Sequence, residues 1–132
     1  MHRFKLRVYY EDTDLAGIVY YANYLKFIER GRSEWVRSLG VDQVRLRQEA
    51  GIVFAVRRVE ADYLRPAVFD DVLSVETRLI ALGGSRIELG QNVLRGDICL
   101  FAAKVTLVCL SGTGRAVRLP ADIRALLEAA GI

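Results

Sequence analysis

The chain holds a single histidine among its 132 residues, and it stands at position 2. A Ser-His-Asp triad, a Cys-His dyad and a multi-histidine metal site all need an internal imidazole. Acid–base work therefore falls to carboxylates. Cysteine is nearly as scarce. Cys99 and Cys109 fall in one predicted strand, which at about 3.3 Å per residue holds them about 33 Å apart, beyond disulfide reach. Two reduced thiols are expected. No apolar run reaches the length of a membrane span, and the N-terminal MHRFKLRVYY alternates like a strand without the apolar centre of a secretion signal. The expectation is a cytoplasmic protein with no integral membrane segment. Phosphate-loop and dinucleotide fingerprints are missing too, since GGSRIELG leads from one strand into another rather than into a helix. The net charge of +3 comes from scattered arginines, which describes a solvated surface and gives no nucleic-acid footprint.

What is present is an ordinary globular composition, 52% hydrophobic and 27% charged, enough for one domain over residues 1–132. Its organising stretch runs from Val8 to Leu39. A first strand over Arg3–Tyr10 places Phe4, Leu6, Val8 and Tyr10 on one face and leads into a loop carrying Glu11, Asp12 and Asp14. After the Ala16-Gly17 turn, residues Tyr24, Phe27, Ile28, Gly31, Trp35 and Leu39 recur at the spacing of one helical face. Asn23 is placed to cap this helix and Gly40 to end it. Gly31 costs about 1 kcal/mol relative to alanine, which argues for a close approach of helix backbone to sheet. A carboxylate loop is thus set beside a helix N-terminus, whose first N–H groups lack intrahelical partners and can polarise a carbonyl.

Val41–Ala50 reads as a short polar helix, and strands follow. Ile52–Leu64 alternates through Val53, Ala55, Val59, Ala61 and Tyr63, interrupted at Arg57 and broken by Pro66. Val72–Leu82, Arg86–Arg95 and Ile98–Leu110 come next, joined by turns at Gly83-Gly84 and Gly96-Asp97, and Pro120–Ala130 forms a last amphipathic helix. The long strand Ile98–Leu110 is apolar on nearly both faces and belongs inside the sheet. The resulting fold class is α+β, a five-stranded, largely antiparallel sheet curled around one long helix.

The stretch VYYEDTDLAGIVYYANYLKFIERGR resembles the signature of the hotdog-fold thioesterases of the 4-hydroxybenzoyl-CoA thioesterase type, and within them the YbgC-like branch associated with the Tol-Pal system. VEADYLRPAVFDDVL and VTLVCL are similar to later segments of that branch. The resemblance implies a hotdog fold paired into a homodimer and further into a homotetramer. It also implies hydrolysis of acyl-CoA thioesters between subunits, with coenzyme A as part of the substrate and no resident cofactor or metal. The family's catalytic aspartate falls on Asp14, and the amide that receives the thioester oxygen falls on Tyr21. Many YbgC-like members carry histidine there. A backbone role survives the change to tyrosine, whereas an imidazole role does not.

Within that reading, Glu11 and Asp12 are local bonding groups, and Glu29 is a possible second acid or a helix-surface partner of Arg32. Asp14 has a plainer alternative, a loop carboxylate capping its own turn. Tyr24 and Tyr63 line the acyl pocket, and Arg57, Arg58 and Arg86 are candidates for the coenzyme phosphates, since arginine grips phosphate bidentately. An acyl carrier protein could replace coenzyme A as carrier. Two rivals stand beside the thioesterase. A hotdog dehydratase would need an active-site histidine, and a non-catalytic acyl-CoA or acyl-carrier-protein binding module would keep the fold without the turnover.

Overall fold

The computed structural model describes residues 1–131. In chain order the elements are β1 (His2–Arg7), α1 (Asn23–Ser38), α2 (Gln43–Ala50), β2 (Val53–Tyr63), β3 (Val72–Leu82), β4 (Arg86–Arg95), β5 (Ile98–Leu110) and α3 (Ala121–Ala129), with a single 3₁₀ turn at Tyr10–Asp12. All strand pairs are antiparallel, and the sheet order is β1-β3-β4-β5-β2. The sheet curls around α1, and β5 lies inside it as its two apolar faces require.

α1 packs its buried stripe of Tyr24, Phe27, Ile28, Gly31 and Trp35 against β1, β3 and β4. Leu73 and Val75 of β3 and Leu89 and Val93 of β4 are fully buried on the strands that meet it, and Val105 of β5 is fully buried in the same core. At Gly31 a β-carbon would sit 3.0 Å from the Val75 β-carbon and closer still to one of its methyl groups. That clash explains why a helix-weakening residue occupies the middle of the stripe. Beneath the helix, Gln91 is buried and donates to the Ile28 carbonyl at 2.8 Å and to Thr77 at 2.9 Å, while its own carbonyl accepts from Arg32 at 3.3 Å. The one polar position on the inner face of β4 is thereby satisfied. Desolvation lowers the Arg32 pKa. At its far end α1 closes on Gly40, with the Gly40 N–H bonded to the Arg37 carbonyl and the Val41 N–H to the Val36 carbonyl, a Schellman motif.

Four local expectations are corrected. β1 ends at Arg7, and Tyr10 is 77% exposed and stacked on Phe69 rather than inward. The reason is Asp12, whose carboxylate accepts the Tyr9 N–H at 2.8 Å and folds the chain into the 3₁₀ turn before the strand can continue. Asn23 does not cap α1. It is the first helical residue, after Ala22, and its side-chain amide donates to Asp12 Oδ1 at 2.9 Å. The β3–β4 connection spans Gly83, Gly84 and Ser85, because the Gly84 and Ser85 carbonyls accept from Leu119 and Cys109 and Arg124 bonds the Gly83 carbonyl.

The fourth correction concerns β2. Its register against β5 shifts between Val56 and Arg58, which makes Arg57 the extra residue of a bulge. Phe54 and Val56, opposite Cys109 and Leu107, therefore share the inner face with Val59, Ala61 and Tyr63. Val53 and Ala55 are moved off that face.

Candidate active site

Between the 3₁₀ turn and α1 the chain makes a small hairpin. Thr13 bridges Val19, Asp14 N–H bonds to the Ile18 carbonyl at 2.9 Å, and Gly17 N–H returns to the Asp14 carbonyl at 3.0 Å. Gly17 takes φ +80°, a conformation in which a side chain is strained. Two further bonds fasten the hairpin: Val19 N–H to the Ala67 carbonyl at 2.8 Å, and Tyr20 N–H to the Asp12 carbonyl at 2.8 Å. Asp12 is buried and joins Tyr9 to Asn23, so it works as the internal brace of this loop.

Asp14 stands exposed at the hairpin tip. Its Oδ1 accepts the Ala16 N–H at 2.9 Å, so the turn-capping role is real, and its Oδ2 meets no donor among the described residues. Tyr21 follows at the entry to α1. Its carbonyl accepts the Tyr63 hydroxyl at 2.8 Å, and among the described residues its N–H meets no acceptor. The Tyr20 phenol is pushed up by the adjacent Tyr21 side chain and by the nearby Asp14 carboxylate.

These groups share a cleft of ≈ 450 Å³ lined by Asp14, Ile18, Val19, Tyr21, Tyr24, Tyr63, Leu64, Arg65 and Pro66. Tyr24 forms its buried floor, stacked on Phe101 with ring centroids 5.0 Å apart, and its hydroxyl accepts the Ala67 N–H at 3.1 Å. Tyr63 stands edge-on to both rings. Burial raises the pKa of both phenols above the ordinary value of 10.0, so each keeps its proton through the neutral range. The wall at Pro66–Val68 is held by Arg95, which donates to Asp71 at 2.8 Å, while Asp71 accepts the Val68 N–H at 2.9 Å.

The structure thus brings Asp14, Tyr21, Tyr24 and Tyr63 into one cleft and leaves Arg57, Arg58 and Arg86 out of it. Those arginines line a separate groove with Glu60, Glu88, Lys104 and Thr106. Arg58 pairs with Thr106 in the sheet while Tyr63 pairs with Phe101, so the groove lies about 17 Å along β2 from the cleft and on the outer face of the sheet. Arg58 is bonded there to Glu60 at 2.6 Å. Glu29 accepts from Ser33 at 2.8 Å and does not line the cleft. Sequence reasoning missed Ile18, Val19, Leu64 and Pro66 as cleft lining, and among the charged residues it missed Arg65, whose one signal was its place between Tyr63 and the Pro66 break. Among the described residues, no three His, Cys, Asp or Glu side chains gather into a metal-binding group, and no helix is long and apolar enough to cross a membrane.

A curled antiparallel sheet around one long helix, with a carboxylate loop and the helix entry opening onto one cleft, defines a hotdog-fold thioesterase domain. The chain belongs to the thioesterase superfamily, whose family model matches residues 16–102. It is 39% identical over 123 residues to the acyl-CoA thioesterase YbgC of Haemophilus influenzae, covering 92% of this chain and 90% of the relative. The acyl-CoA thioester hydrolase YbgC of Escherichia coli is 36% identical over 111 residues, 83% of this chain and 82% of the relative. Among solved structures, a probable thioesterase from Bartonella henselae superposes with a TM-score of 0.86 at 40% identity, covering 90% of this chain and 98% of that one. The class of enzyme is thioester hydrolase.

Proposed function

We propose that this chain hydrolyses acyl-CoA thioesters to the free acid and coenzyme A, with Asp14 as base or nucleophile and the Tyr21 N–H as the oxyanion donor. The observation that supports the reading is the shared cleft, whose lining includes both Asp14, with one carboxylate oxygen that meets no donor among the described residues, and Tyr21, whose N–H meets no acceptor among them. In the general-base route, a water oxygen bonds to the thioester carbon while its proton passes to Asp14. The carbonyl electron pair moves onto the oxygen held by Tyr21, and collapse breaks the C–S bond. The proton then returns to the leaving sulfur. In the nucleophilic route, Asp14 forms a mixed anhydride that water opens to the same products. Both need a preorganised donor, which contributes about 2.7–4 kcal/mol in measured systems.

The site is completed by a second copy of the chain. β2 is an edge strand of 11 residues carrying Val56, Val59 and Tyr63 at 46%, 37% and 49% exposure, an open edge that a partner β2 would cover in a homodimer. A homotetramer would follow from a second contact.

Tyr63 has a part in holding the site. Its hydroxyl fixes the Tyr21–Ala22 peptide, and thereby the direction of the helix entry. Replacing Tyr63 by Phe keeps the aromatic packing and removes that bond, so kcat should drop about tenfold with KM little changed. Steady-state kinetics in which KM alone moved would reduce Tyr63 to a pocket wall.

The direct test of the activity is thiol release from acyl-CoAs of graded chain length and from an aromatic acyl-CoA. Turnover of at least one is expected. Tight binding of every ester without thiol release would favour the binding module.

A further inference from the structure

The cleft has a polarity that the proposed chemistry does not use. Its buried part is the surface of Val19 and Tyr24, with Ile18 half-buried beside them, and Arg65 is the one cationic side chain among its lining residues. Arg65 is exposed, and it forms no ion pair with any carboxylate among the described residues. Its backbone is nonetheless fixed. The Leu64 and Arg65 N–H groups both bond the Leu100 carbonyl, at 2.8 and 3.1 Å, which ties the residue to β5 directly after β2 ends. A guanidinium held on a rigid anchor at a wet cleft wall, uncompensated by any acid, suits a ligand phosphate. Asp14 is the only other charged residue on the lining, and it stands at the reacting end.

We infer that Arg65 is the subsite for the anionic, phosphate-bearing part of the thiol carrier, so that the acyl group points inward over Tyr24 and the carrier leaves past Arg65. This rests on the thioesterase reading and adds to it the orientation of the substrate. It also takes the phosphate contact away from Arg57, Arg58 and Arg86, which lie on the outer face of the same protomer. Discrimination follows. A thioester whose carrier has phosphates gains from Arg65, and one whose carrier has none does not.

The experiment compares two esters of the same acyl group, one on coenzyme A and one on N-acetylcysteamine, which has a thiol and an amide but no phosphate. Arg65→Gln should raise KM for the coenzyme A ester about tenfold, leave kcat in place, and change KM for the N-acetylcysteamine ester less than twofold. Arg65→Lys keeps the charge and should recover most of the loss. The wild-type KM for the coenzyme A ester should also climb with ionic strength, and that climb should flatten in Arg65→Gln. Arg115→Gln removes the same charge at the other end of β5 and reports any effect of net charge alone. An unchanged KM for the coenzyme A ester, or an equal rise for both esters, overturns the assignment. If the wild-type protein cleaves neither ester, the hydrolase reading fails, and the orientation inferred from it fails as well.

Discussion

Replacing Asp14 by Asn lowers kcat for acyl-CoA hydrolysis by about a hundredfold or more and leaves stability within about 0.5 kcal/mol of the wild type. The two halves of that expectation come from separate features of the residue. Asp14 is exposed at a hairpin tip, and the one bond its side chain makes is from the Ala16 N–H to Oδ1, which an asparagine carbonyl accepts equally well. The turn therefore survives. What disappears is the anionic oxygen that, in the proposed mechanism, takes a proton or attacks carbon, and an amide can do neither at neutral pH. A thiol-release assay and a urea melt on the same preparation check both halves. Near-normal turnover of every acyl-CoA by the variant would remove Asp14 from the chemistry.

Two residues earlier the pattern reverses. Asp12→Ala should cost about 2–4 kcal/mol of folding stability, because the buried carboxylate accepts the Tyr9 N–H and the Asn23 amide, and bonds to a charged group contribute about 1.5–3 kcal/mol each, not fully additively. Activity should fall as well, by loss of the brace that joins the end of β1 to the first turn of α1. Asp12→Asn keeps an acceptor for one donor and should sit between wild type and Asp12→Ala in both properties. The urea midpoint of each variant, at unchanged m, measures this. A wild-type midpoint for Asp12→Ala would show that the two bonds do not hold the loop. Together the aspartates separate chemistry from architecture. One should lose turnover without stability, and the other should lose stability first.

Much of this arrangement was legible in the sequence, for identifiable reasons. β3, β4 and β5 fall on the expected bounds because alternation, glycine turns and a doubly apolar strand mark where each begins and ends, although register shifts at Leu79/Ala81 and Val93/Leu94 interrupt the alternation and set Ala81 opposite Glu88. Gly31 was readable as a close contact because nothing else accounts for a glycine inside an apolar helical stripe. β1 was read three residues too long, since Val8-Tyr9-Tyr10 continues the alternation and only the Asp12 carboxylate, two residues on, shows where the chain must turn. β2 was misassigned on one half. A bulge inverts the faces without any change of composition, and the arginine that interrupts the pattern is the bulged residue itself.

The cleft was harder to read than the sheet. Asp14 and Tyr21 lie close in sequence, and their neighbourhood was visible as a loop running into a helix. Tyr63 and Arg65 reach them from more than 40 residues away, through the pairing of β2 with β5, and no local periodicity encodes that meeting. Arginine is abundant in this chain, so the isolated one facing the cleft carries no mark that distinguishes it from the three that gather on the outer face.

On the proposed mechanism, Asp14 addresses the carbon and the Tyr21 N–H the oxygen of one thioester carbonyl. A crystal structure of the Asp14→Asn variant with an intact acyl-CoA measures it directly. The expected result has the thioester oxygen about 2.7–3.1 Å from Tyr21 N and the substituted side chain at the carbonyl carbon. An acyl-CoA bound with its carbonyl elsewhere, and the Tyr21 amide facing solvent or another protein group, would contradict it.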